Sequence, residues 1–148
     1  MTETLVVVSF LIEKDCKVLL VQEAEDEIRE QWCFPGGKLE QGETIQKGAE
    51  REMLEECGMS LTSVSIIRVY EGVRDNKLGV RIHLKATGGP VEGSVLSEDI
   101  IYTSWFTKEE LRKLHMSGKT RKGVYHQREI SDYLNDIPAN GVIVTLES

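Results

Sequence analysis

The sequence predicts an α/β fold, a mixed sheet carrying few helices, on three observations. Apolar runs of strand length recur at 5–12, 17–24, 63–73 and 78–87, a capped helical segment interrupts them at 44–57, and a second amphipathic segment falls near the C-terminal end. At 148 residues the chain matches one domain, 1–148, able to bury a sizeable core without disulfides or structural metals.

The elements follow in order. "LVVVSFLI" (5–12) and "KVLLVQEA" (17–24), separated by "EKDC", read as a hairpin whose strands are covered on both faces. The first run is too short to span a bilayer and follows Glu3 rather than a basic segment, so it reads as a core strand, with a secretory signal as the minor alternative. In "WCFPGG" (32–37) a short strand ends at Pro35, Gly36 and Gly37, and a glycine-rich connection follows. Thr44 is a suitable N-cap for a helix running to Cys57, where Gly58 takes the left-handed closing position. Met53, Leu54 and Cys57 form its apolar arc, and the small Gly48 and Ala49 leave room one turn before Glu52.

"SVSIIRVYEGV" (63–73) and "LGVRIHLKAT" (78–87) form a second antiparallel pair around "RDNK". A polar loop at 88–99 leads into the strand "IIYTSWF" (100–106) and the short helix "TKEELRKL" (107–114). Ile130, Tyr133, Leu134 and Ile137 mark a last amphipathic helix, stopped by "PANG", and "VIVTL" (142–146) reads as a final strand.

Composition excludes several roles. Eighteen Lys and Arg against 25 Asp and Glu give a net charge of -7, the wrong sign for broad contact with a nucleic-acid backbone. Cys16, Cys33 and Cys57 show neither disulfide nor zinc spacing and suit free thiols in a reducing cytosol, so a cytoplasmic location is expected. His83, His115 and His126 have no metal-ligand spacing and read as structural or surface residues. Arg112, Lys113, Lys119, Arg121 and Lys122 form a basic group that either steers an anionic substrate or is a solvated loop.

Within the helix, "EREMLEE" (50–56) places Glu52, Glu55 and Glu56 in an arc of roughly 100°. Like charges at such spacings cost a few tenths of a kcal/mol per pair, and Arg51 offsets only part of that. A carboxylate stripe alone is ordinarily a solvated face. Clustered carboxylates are also hard oxygen donors of the kind Mg2+ or Mn2+ prefers, ions that enter sites together with substrate phosphates.

The longer stretch "GKLEQGETIQKGAEREMLEECGM" (37–59) resembles the signature box of the Nudix hydrolases, with Gly37, Glu43, Arg51, Glu52, Met53, Glu55, Glu56, Gly58 and Met59 at the fixed positions. The flanking "WCFPGG" and "YTSWFTKEEL" are similar to MutT-type members. The resemblance implies the Nudix fold, an α/β/α sandwich around a mixed sheet, and Mg2+-dependent hydrolysis of a diphosphate linkage by water attack at phosphorus, with Mn2+ as a second usable cation. It also implies metal ligands at Glu52, Glu55, Glu56 and the Gly37 carbonyl, with Arg51 orienting a neighbouring glutamate and Glu43 as a loop support or outer-shell contact. The water's proton would go to Glu52 or Glu56, or to a loop acid outside the box, with Glu98 ahead of Glu92 and Asp99. The implied substrate is a small-molecule diphosphate, namely a nucleoside di- or triphosphate, oxidised forms included. Thiamine-type or other small pyrophosphates and ADP-ribose are the alternatives. A non-catalytic nucleotide-sensing module is the rival from another class, and the complete set of box carboxylates speaks against it. Monomer and homodimer both stay open.

Overall fold

Strand alternation divides the core in two. The computed structural model describes residues 4–25 and 30–146. In it Val8, Phe10, Ile12, Leu19, Ile82 and Leu84 pack with Ala49 and Met53 of α1 (Ile45–Cys57). Leu11, Val18, Leu20, Phe34 and Ile67 pack instead with Leu111 of α2 (Lys108–Met116) and with Ile130 and Leu134 of α3 (Val124–Leu134). Because neighbouring strand residues face opposite ways, the same strands serve both clusters, and the layers are α/β/α.

The larger sheet is mixed. It runs β5 (Gly36–Lys38), β1 (Thr4–Leu11), β7 (Lys77–Pro90), β6 (Met59–Arg74), β9 (Ile143–Thr145), with β1–β7 and β6–β9 parallel and the other pairs antiparallel. In the smaller, antiparallel sheet β3 (Lys17–Glu23) pairs with β2 (Glu13–Lys14), β4 (Trp32–Cys33) and β8 (Ile100–Thr107).

Five expectations need correction. The 5–12 and 17–24 runs do not pair along their length: a two-residue turn, Asp15 and Cys16 both at positive φ, joins only β2 to β3, while β1 belongs to the other sheet. Gly36 and Gly37, read as a connection, form β5 against β1. A Cβ on Gly36 would fall on the Val8 carbonyl, so glycine permits this close pairing. The loop expected at 88–99 begins only after Pro90, because β7 continues against Met59–Leu61. Helix α3 ends at Leu134, leaving Ile137 outside it, and on α1 Leu54 faces solvent while Met53 is fully buried.

Helix α1 holds its place through local signals. The Thr44 hydroxyl accepts from the Lys47 amide, and Gly58 at φ 66 closes the end by donating to Leu54 O. Gly48 leaves room for the end of the Leu39 side chain, which a Cβ there would displace.

Helix α3 buries acids as well as apolar residues. Glu129 accepts from Arg81 Nε at 3.0 Å and Ser9 Oγ at 2.6 Å, and Asp132 accepts from Tyr70 Oη at 2.8 Å and Arg128 Nε at 3.0 Å. With the Ser9 hydrogen spent on Glu129, the 2.9 Å contact between Ser9 Oγ and His83 Nδ1 requires Nδ1–H as donor. His83 Nε2 is then a bare acceptor, without a partner among the described residues.

Burial pushes the His83 pKa down to about 4, against the pull of Glu129 and with the push of Arg81 and Arg68. Between pH 4 and 6.5 the unfolded chain therefore binds a proton that folded His83 refuses, and its contribution to stability shrinks as pH falls through that window. Imidazole NMR should show His83 unprotonated from pH 7 to pH 5. A titration centred near the ordinary histidine value of about 6.5 would contradict this burial.

Candidate active site

The carboxylates of α1 face a cleft of about 510 Å³. Gly37, Arg51, Glu52, Glu55 and Glu56 all line it. Glu52 and Glu56 are only 6% and 7% exposed, whereas Glu55 stands at the open rim. The stripe is thus graded in depth, with two acids buried and one wet.

Arg51 organises that wall. Its guanidinium donates Nε and Nη2 to the two Glu43 oxygens at 2.7 and 2.9 Å, Nη1 to Glu52 at 3.0 Å and to Glu55 at 3.1 Å, and Nη2 to the Lys38 carbonyl at 3.0 Å. Glu43 also accepts from the Glu40 amide at 2.8 Å, and these bonds, Arg51 foremost, hold its carboxyl down at about 2. Glu43 is therefore a brace joining the 38–43 loop to α1.

The buried acids are electrostatically loaded. Burial raises the Glu52 pKa, with Arg51 opposing. Burial pushes Glu56 up to about 8, helped by Glu52, Glu23 and Asp99 and opposed by a hydrogen bond from the Gly36 backbone. A divalent cation fits this wall by donor chemistry: hard carboxylate oxygens, desolvated and repelling one another, are what such an ion neutralises. Gly37 fits as well, since a Cβ there would land on the Glu52 carboxylate, and glycine lets the main chain lie against that acid in its present position. Among the described residues no three His, Cys, Asp or Glu side chains already converge as a metal-ligand set. Arg51 holds Glu52 and Glu55 from the side instead.

The loop acid in the cleft is Asp99, and the structure does not bring Glu98 there. Glu55 O accepts from the Ser97 amide and Asp99 O from the Ala24 amide, which pin the loop between α1 and β3. Ser97 and Asp99 consequently line the cleft, while Glu98 between them is exposed and outside the lining. Sequence reasoning missed Glu23, Arg81 and His126 and left Arg121 inside a general basic group. Alternation was the available signal, because Arg81 sits on the β7 face opposite Ile82 and Leu84, and Glu23 ends β3.

A sequence profile of the NUDIX domain matches residues 2–127, and the chain belongs to that family. It is 44% identical over 62 residues to the mouse (Mus musculus) 8-oxo-dGDP phosphatase NUDT18, covering 42% of this chain and 19% of that protein. The chain thus spans about a fifth of that relative's length. It is 28% identical over 133 residues to an ADP-ribose pyrophosphatase of Methanocaldococcus jannaschii, with 87% and 72% covered. Against the CTP pyrophosphohydrolase of Escherichia coli the figures are 30% over 106 residues, 70% and 76%. A solved NUDIX hydrolase from Nitrosomonas europaea superposes with a TM-score of 0.75 at 26% identity, over 92% of both chains. Among the described residues no helix is long and apolar enough to cross a membrane.

Proposed function

We propose that the chain hydrolyses a diphosphate linkage in a nucleoside di- or triphosphate or a close derivative, oxidised bases and ADP-ribose included, with Mg2+ or Mn2+ bound. The observation that carries this reading is the pair of buried, mutually repelling carboxylates, Glu52 and Glu56, on one wall of a nucleotide-sized cleft. Glu52, Glu55, Glu56 and the Gly37 carbonyl are the residues that would hold the cation. Bound there, it would neutralise phosphate charge and polarise a phosphoryl oxygen.

The protein's own residues do the rest. Arg51 fixes the directions of Glu52 and Glu55, and Glu43 keeps Arg51 in place. Glu56 and Glu52 are the box candidates for accepting the attacking water's proton. Asp99, which lines the cleft, takes precedence as the loop acid over Glu98, which does not. The relatives' names, which cover 8-oxo-dGDP, ADP-ribose and CTP, support a nucleotide substrate without choosing one.

The test is a panel assay with products identified by mass. Normal and oxidised nucleoside di- and triphosphates, ADP-ribose and thiamine pyrophosphate are incubated with Mg2+, with Mn2+ and with excess chelator. Turnover of at least one nucleotide that chelation abolishes and either cation restores is the expected result. Turnover surviving exhaustive chelation, or none across the panel, would overturn the reading.

A further inference from the structure

Four cations line the cleft, Lys38, Arg51, Arg81 and Arg121, and they differ in how much of their hydrogen-bonding capacity is spent. Arg51 is taken up by Glu43, Glu52, Glu55 and the Lys38 carbonyl. Arg81 is turned towards the buried Glu129 and lies 3.4 Å from His126 Nδ1. Lys38 is an exposed point charge on a flexible stem. Arg121 is different. It donates from Nη1 to Glu23 Oε2 at 2.9 Å and hydrogen-bonds the Cys33 sulfur beside it. A guanidinium carries five N–H donors in a rigid fork, so an edge of Arg121 stays open to the cleft.

That open edge is held on a built scaffold. Residues 119–121 pair with Trp32 through Trp32 N to Lys119 O and Arg121 N to Trp32 O, both 2.9 Å. The Thr120 side chain is fully buried, and its Oγ1 lies 2.8 Å from His115 Nδ1 and accepts from Gln127 Nε2 at 3.2 Å. Gln127 Nε2 also donates to Arg121 O at 2.7 Å. Elements α2, α3 and β4 thus fix the main chain on either side of Arg121. A solvated loop cation has no need of such support, whereas a recognition residue depends on it.

We propose that Arg121 binds substrate and sets specificity, its free guanidinium edge reading a pair of acceptors on the part of the substrate that extends beyond the carboxylate wall. Two groups carry such acceptors, the O6/N7 edge of a guanine-type ring and the oxygens of a further phosphate. This inference rests on the hydrolase reading and assigns the end of the substrate that α1 does not touch. Glu23 fits the same role, because it anchors Nη1 of the fork and lines the same cleft.

The experiment is steady-state kinetics of the wild-type chain, Arg121→Gln and Arg121→Lys with Mg2+ and four substrates, GDP, ADP, GTP and ADP-ribose, beside thermal melts. Arg121→Gln should raise KM roughly 10- to 100-fold for the acceptor-bearing substrate, leave kcat within about threefold, and leave Tm unchanged. Arg121→Lys, keeping charge without the fork, should recover only part of the loss. A KM effect on GDP but not ADP assigns the ring edge, and one on GTP beyond GDP assigns a phosphate. Unchanged KM throughout would overturn the proposal, as would equal falls in kcat on every substrate together with a lowered Tm, the signature of a brace. A wild-type chain inactive on all substrates of both assays would sink the hydrolase reading and this inference with it. An active wild type with an indifferent Arg121→Gln would sink this inference alone.

Discussion

Glu52→Gln should reduce kcat/KM by about 10²-fold or more while the chain stays folded. The substitution keeps the shape of the side chain, and the amide oxygen can still accept the Arg51 Nη1 bond that Glu52 accepts at 3.0 Å. Glu43 continues to hold Arg51 from the other side. What disappears is one buried negative charge, raised in pKa because burial disfavours it. A group whose folded pKa lies above its unfolded value weakens the metal-free fold as pH rises past the unfolded value, so the variant should melt no lower than wild type at neutral pH without added metal. With Mg2+ the order should reverse, because an ion that binds only the folded state raises Tm and the variant has lost a ligand for it. Rates and melts at several Mg2+ concentrations test both halves. Turnover near that of wild type would remove Glu52 from the mechanism.

The part of this site that was legible in sequence is the part built from neighbours along the chain. Glu52, Glu55 and Glu56 share a helix face by spacing alone, and the Thr44 cap and Gly58 closure are local chemistry too. Glu98 and Asp99 show where local reading stops. They are adjacent acids in a polar loop, and only the main-chain bonds to α1 and β3 decide which one faces the cleft. The hairpin expectation failed for the same reason. Asp15 and Cys16 do form a tight turn, but the sheet that recruits β1 is set by β5 and β7, far away in sequence.

Helix α3 and strand β7 were misleading in a more specific way. Arg81 and His83 alternate with Ile82 and Leu84, the pattern of a strand with one wet face, and Glu129 and Asp132 fall outside the apolar positions of the last helix, where side chains ordinarily face water. The structure buries both faces: Arg81 of β7 donates to Glu129, while Asp132 is met by Tyr70 and Arg68 of the neighbouring β6. Burial of a polar face is invisible to periodicity when its partner is equally polar.

That buried contact yields the largest expected loss of stability. Glu129→Gln should lower stability by about 3–5 kcal/mol, because Arg81, only 8% exposed, keeps its charge without a counter-charge. Arg81, His83, Arg81's hydrogen bonds and the Ser9 hydroxyl together hold Glu129 down at about 2 even though burial pushes the other way. A carboxylate depressed in the fold stabilises above its unfolded pKa, so the benefit is complete at neutral pH and fades as pH falls towards about 2. The gap between wild type and Glu129→Gln should accordingly be widest near pH 7 and close under strong acid, as read from denaturant melts at a series of pH values. A second variant separates unpaired charge from lost packing: Arg81→Met combined with Glu129→Leu should recover much of the loss, since an apolar replacement of both partners removes the stranded charge. If the double variant is as unstable as the sum of its parts, shape rather than charge governs the contact. If Glu129→Gln alone costs under about 1 kcal/mol, the pair is not the brace that its geometry describes.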